Sequence, residues 1–119
     1  MAGMEPLDRV RAILMALPEV NERPSHGEPA WFYRDKRQIA MYSDHHHGDP
    51  HLSVWCAATP EAQAMLVAED PARFFVPPYV GHRGWVGIRL DVGASSVGDD
   101  SDLEELLRES YRLISSKRG

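Results

Sequence analysis

The stretch FFVPPYVGHRGWVGIRLD, Phe74 to Asp91, packs two arginines, a histidine and four aromatic rings into eighteen residues. Among them, Tyr79, His82, Arg83, Trp85 and Arg89 have the chemistry to hold a ligand. Indole and phenol rings offer flat π faces, and guanidinium groups offer fixed cationic donors for a phosphate or a carboxylate. The stretch divides at Gly84. PPYVGHRG is too rich in proline and glycine for regular structure and reads as a surface loop. WVGIRLD alternates strictly, with Val86, Ile88 and Leu90 on one face and Trp85, Gly87 and Arg89 on the other. If the aliphatic face meets helices, Trp85 and Arg89 look outward, and the same reasoning points Trp55 outward from HLSVWCA. The expected ligand-binding surface is therefore Trp55, Trp85 and Arg89 on a sheet face, with Tyr79, His82 and Arg83 on the adjoining loop. Gly87, set among bulky neighbours, marks either a bulge or a close approach to the backbone.

A second cluster is DHHHGDPH, which gathers His45, His46, His47 and His51 with Asp44 and Asp49, all potential metal ligands. In an extended stretch His45 and His47 share a face, and His51 at the start of a strand could close a site. His45, His47 and His51 are thus the candidate ligands, and the alternative is an exposed polar loop without the second shell that orients a metal-bound imidazole. His26, in PSHGEP, reads as a turn or sheet-end histidine that could face the same pocket as the aromatic surface. The chain has no Gly-x-Ser-x-Gly elbow, P-loop, dinucleotide fingerprint or paired Cys-x-x-Cys motif. Glu28 near His26, or His82 near Arg83, could form an acid–base pair, but solvated surface residues account for them equally well. The reading is of a binding domain with no catalytic residue and no cofactor assigned.

These residues need a frame. Leu7, Val10, Leu14 and Leu17 recur at helical steps between Pro6 and Pro18, which gives a first helix. AWFYR and QIAMY flank Asp35-Lys36-Arg37 as a hairpin, and residues 51–57 alternate as a third strand. Thr59-Pro60-Glu61 starts a second helix that Glu69-Asp70-Pro71 ends. After the strand WVGIRLD and a small, acidic loop from Gly93 to Asp100, Ser101 and Glu104 form a capping box for a third helix carrying Leu103, Leu106, Leu107, Tyr111, Leu113 and Ile114. The expected order is α, β, β, β, α, β, α: an α+β domain spanning 1–119, with helices on one face of an antiparallel sheet.

Composition sets bounds. With 119 residues, 43% hydrophobic and 26% charged, the chain can bury one core without metal or disulfide. No apolar run is long enough for a membrane span, and the N-terminal segment mixes charges into its apolar positions, so the expected location is cytoplasmic, away from membranes. The single cysteine, Cys56, lies in an apolar strand and reads as a buried, inert thiol. The formal net charge of −5 argues against tight, sequence-blind attachment to DNA. Charge is nevertheless sorted along the chain: residues 23–37 and 71–97 are net basic, while acids collect at 38–70 and 98–109.

PARFFVPPYVGHRGWVGIRLD, together with LPEV near residue 18, HGEPAWF from His26 and the terminal helix, resembles the MmcQ/YjbR family over nearly the whole chain. The most specific part is P-P-Y-x-G-x-x-G-W-V at Pro77 to Val86. The resemblance implies a compact α+β "double-wing" domain, similar to frataxin-like and secretion-chaperone-like folds, in a family usually labelled DNA-binding. Much of that family has a histidine, an Asn-Lys pair and another histidine ahead of the tryptophan, where this chain has Tyr79, Gly81-His82 and Gly84. The lysine is missing, so any phosphate contact it implies is either lost or reassigned to Arg83. Nucleic acid is thus the ligand expected from the label, and a small anionic or aromatic metabolite on the same face is the alternative. A protein partner on an open sheet face or edge is a further possibility, and the expected state is a monomer or weak homodimer.

Overall fold

The computed structural model describes residues 5–45, 51–91 and 101–116. Pro6 opens helix α1 (Pro6–Met15), at a position where a missing amide hydrogen costs nothing, and Val10 and Leu14 are its buried residues. Strands β1 (Val20–Ser25), β2 (Glu28–Tyr33), β3 (Arg37–Asp44) and β4 (Leu52–Cys56) follow. Helix α2 (Pro60–Glu69), strands β5 (Phe74–Phe75) and β6 (Val86–Arg89), and helix α3 (Ser101–Ser115) complete the order. Among the described residues the six strands form one sheet, ordered β1-β2-β3-β4-β6-β5. All neighbours in it are antiparallel.

The class is the expected α+β, but the expected element order is corrected by two strands. β1 has the sequence VNERPS, polar and carrying Pro24, so it shows no alternation, yet as an edge strand it tolerates a residue that cannot donate to a ladder. β5 is only two residues long and owes its existence to pairing with β6, Phe74 opposite Ile88 and Phe75 opposite Gly87. The β2–β3 turn also sits earlier than Asp35-Lys36-Arg37: Arg34 (φ 53°) and Asp35 (φ 58°) make the turn, and Arg37 already belongs to β3. Left-handed residues at both central positions match the right-handed twist of the strands they join. The β1–β2 turn repeats this with His26 (φ 54°) and Gly27 (φ 83°). The loop 93–100 and residues His46 and His47 lie outside the described residues.

Helix α3 packs on β2 and β3, and α1 packs on α3 and β1. Val10, Leu14, Trp31, Ile39, Val54, Ile88, Leu103 and Leu107 are sealed between these layers. Glu22 pins the edge strand to this layer by accepting from Nε and Nη2 of Arg11, both at 2.8 Å, and from Nε1 of Trp31 at 3.0 Å. Helix α2 begins as expected, with Thr59 Oγ1 accepting from the Ala62 amide at 3.1 Å, but it buries no residue of its own. A polar clamp fastens it instead: Gln63 Nε2 donates to the carbonyls of Gly81 at 2.8 Å and Trp85 at 2.7 Å.

Candidate functional site

Cross-strand register fixes which side chains share the sheet face away from the helices. Met41 stands opposite Trp55, Trp55 opposite Gly87, Ser53 opposite Arg89, and Phe75 opposite Gly87. This far face is the one on which alternation puts Trp55, Trp85 and Arg89, but it is not an open platform. Trp55 is 2% exposed and Trp85 is 3% exposed. Gly87 explains part of the cover, because the Phe75 ring lies so close over its backbone that a Cβ there would collide with it. Of the two readings of Gly87, close approach is the one realised.

Arg89, expected to present its guanidinium to solvent, instead lies over the Phe75 ring at 5.4 Å. Its Nη1 donates to the carbonyls of Ala72 at 2.6 Å and Pro71 at 3.4 Å. Its Nη1 is directed at backbone, which makes it a tie between β6 and the chain entering β5. His82 is exposed in the 3₁₀ turn Gly81–Arg83 and does not line the cavity described next.

The loop before Trp85 is tightly determined. The Gly81 amide donates to Pro77 O, Arg83 to Val80 O and Gly84 to Gly81 O, each at 3.0 Å. Gly84 has φ 95°, and a Cβ on it would lie 2.8 Å from Pro60 N, so both the backbone conformation and the contact require glycine. Tyr79 is also left-handed (φ 69°) and 68% exposed, an uncommon conformation for an aromatic residue.

Between this loop and the sheet lies a cavity of about 410 Å³, lined by His26, Gln38, Met41, Trp55, Tyr79, Val80, Arg83 and Trp85. Of the residues expected from the sequence, it brings together Trp55, Tyr79, Arg83 and Trp85. His26 comes from the β1–β2 turn, where the left-handed conformation places it. Gln38, Met41 and Val80 were not foreseen. Gln38 arrives because a bulge between Trp31 and Phe32 shifts the β2–β3 register and sets it opposite Phe32. The floor is indole, thioether and aliphatic, the polar groups are an amide, an imidazole, a phenol and a guanidinium, and among the described residues no acid lines it.

The charge around it is unevenly spent. Arg23 meets Asp35 at 2.7 Å, Arg34 meets Glu19 at 2.8 Å, and Arg112 meets Glu109 at 3.0 Å. Arg73, 2% exposed, pairs with Asp102. Hydrogen bonds from these arginines hold the Asp35 and Glu19 carboxyls below the usual range, and Arg11 does the same for Glu22. Of the seven bases in the two basic segments, Arg23, Arg34 and Arg73 are thus matched by carboxylates of this chain. Arg83 differs: among the described residues its guanidinium has neither ion pair nor hydrogen bond, and it lies over the Trp85 ring at 5.5 Å.

At the histidine cluster, His45 Nδ1 is 2.7 Å from Asp44 Oδ1, and the His45 amide donates to His51 O at 3.2 Å. The His51 ring lies tilted against Phe75, with centroids 6.0 Å apart, so the two described imidazoles have different partners. Among the described residues no group of three potential ligands is arranged to hold a metal ion.

On the helix face, a groove of about 380 Å³ runs between α2 and α3, floored by Cys56, Ala57 and Val86 and walled by Ala62, Leu66, Leu106 and Leu113. Burial pushes the Cys56 thiol up to about 11. Ser110 Oγ donates to Ala57 O at 2.6 Å, so the hydroxyl at this groove is already used.

Residues 15–113 match a family model described as YjbR. The crystal structure of the Deinococcus radiodurans protein DR2400, described with the domain DUF419, is similar at a TM-score of 0.75 and 26% identity. The match covers 95% of this chain and 83% of that one. No curated protein matches the chain. Among the described residues no helix is long and apolar enough to cross a membrane.

Proposed function

Because the chain belongs to the YjbR family, and Tyr79, Val80, Arg83 and Trp85 of the Pro77–Val86 segment line the far-face cavity, we propose that the domain is a non-enzymatic binding module holding a small planar molecule in that cavity. The observation that carries this reading is the combination of volume and lining. A cavity of about 410 Å³ falls within the range of small-molecule sites, and its apolar floor with a few convergent polar groups is their usual composition. The buried indoles support a compact occupant in preference to a strand laid across an open face.

The reading that takes its ligand from the family label, nucleic acid, asks for a track of cations facing phosphates. Arg23, Arg34, Arg73 and Arg112 face carboxylates of this chain instead, and the net charge is −5. What favours nucleic acid is narrower: Arg83 and Tyr79 at the cavity rim would suit a single unpaired base.

The test is a set of titrations followed by tryptophan fluorescence and melting temperature. Trp55 and Trp85 line the cavity, whereas Trp31 is sealed on the helix side and reports no cavity event. Planar organic compounds are expected to change the fluorescence and raise the melting temperature, and single- or double-stranded oligonucleotides to do neither at moderate salt. Salt-dependent oligonucleotide binding, with no response to any small compound, would reverse the assignment.

A further inference from the structure

We infer that the occupant of the far-face cavity is a planar carboxylate, with its anionic end held by Arg83; this rests on the small-molecule reading above. Arg83 is exposed, with its guanidinium over the Trp85 ring at 5.5 Å, and among the described residues no carboxylate or carbonyl engages that guanidinium. A guanidinium held near a ring by cation–π attraction keeps its N–H groups available to donate to both oxygens of a carboxylate. Other arginines of the chain show the contrast: Arg23, Arg34 and Arg112 have those same donors filled by Asp35, Glu19 and Glu109.

The lining selects further. With no acid among the described cavity residues, an organic cation would meet Arg83 without compensation. Among the described residues Arg83 is also the one permanently charged side chain in the lining, which matches a single negative charge better than the two of a phosphate monoester. Trp55, Met41 and Val80 supply apolar surface for the rest of the molecule, and the Gln38 amide can pair with one polar substituent. A cavity of about 410 Å³ suits one or two fused rings.

The experiment measures calorimetric titration of the full chain with three probes of one shape: 2-naphthoate, 2-naphthamide and 2-naphthylmethylamine. The expected order is carboxylate tighter than amide by about tenfold, with the amine weakest, because a charge-assisted hydrogen bond separates the first two. Arg83→Met, which keeps much of the stem but removes the charge, should bring the carboxylate down to the amide's affinity. Equal affinity for carboxylate and amide, or a carboxylate preference that survives Arg83→Met, overturns the inference and leaves the cavity reading standing. Failure of all three probes at millimolar concentration overturns the cavity reading along with it. So does binding unaffected by Gln38→Trp, a strand substitution that places an indole in the cavity and leaves the helix-side core untouched.

Discussion

Two hollows of nearly equal size lie on opposite sides of one sheet among the described residues, about 380 Å³ between α2 and α3 and about 410 Å³ beneath the Pro77–Gly84 loop. Their volumes do not distinguish them; what their polar atoms are already doing does. On the helix side, Ser110 is bonded to Ala57 O, Arg112 to Glu105 and Glu109, and the Cys56 thiol is buried with its proton held. The groove's one cation is thus matched by two carboxylates, and most of the remaining lining among the described residues is alanine, leucine and valine. On the far side Arg83 faces its cavity with edge donors unused among the described residues. Where a fold satisfies its own polar groups it builds stability, and where it leaves one unspent beside an apolar floor it builds a site.

That separation can be broken or sharpened by substitution. The largest expected effect is on stability: Leu107→Ala, at a fully buried helix-side position, should lower unfolding free energy by about 3 kcal/mol in urea titration. Ligand affinity of the folded fraction should stay unchanged, and a parallel loss of affinity would show the two sides to be coupled. Gly84→Ala should cost roughly 2 kcal/mol through its left-handed φ and the Pro60 contact, and it should also abolish binding because the loop must shift. Binding retained by this variant would detach the cavity from the loop.

Smaller is the contribution of Glu22, held below the usual carboxylate range by its hydrogen bonds from Arg11. A carboxyl with a lowered folded value stabilises the fold above its ordinary titration near pH ~4.3 and loses that contribution as pH falls through the folded value. Glu22→Gln should therefore cost about 1 kcal/mol at neutral pH, with a shallower loss of stability on acidification. An unchanged acid limb in the urea midpoint would remove Glu22 from that role. Smallest of all, Arg83→Met should leave stability within ~0.5 kcal/mol of the parent, since the side chain is exposed and stabilises nothing but its own stack. A larger loss would show the guanidinium to be structural.

Local rules carried the sequence reading a long way. Thr59 and Pro60 announced α2, the turn chemistry marked the β2–β3 hairpin to within a residue or two, and strict alternation assigned Trp55 and Trp85 to the face away from the helices. Alternation, however, gives a side chain its direction and says nothing about what lies above it. Part of the cover on the far face comes from Phe75, in a strand too short to leave a pattern, and the partners of Arg89 are backbone carbonyls at positions 71 and 72. Neither is visible to a rule that reads side-chain types. β1 escaped for a related reason, since an edge strand half exposed on both sides need not alternate. Gln38 and Met41 entered the cavity through strand pairing and a bulge, so their place depends on register, which no single segment encodes.

Gln63 spends both protons of its amide on the carbonyls of Gly81 and Trp85, one in the loop and one at its exit. A single neutral side chain thus splints the mouth of the cavity from behind, and helix α2, which seals none of its own residues, acts as the brace for that splint. A pocket held in this way has its shape before any guest arrives, so discrimination between guests falls to fit at first encounter and little freedom remains to be surrendered afterwards.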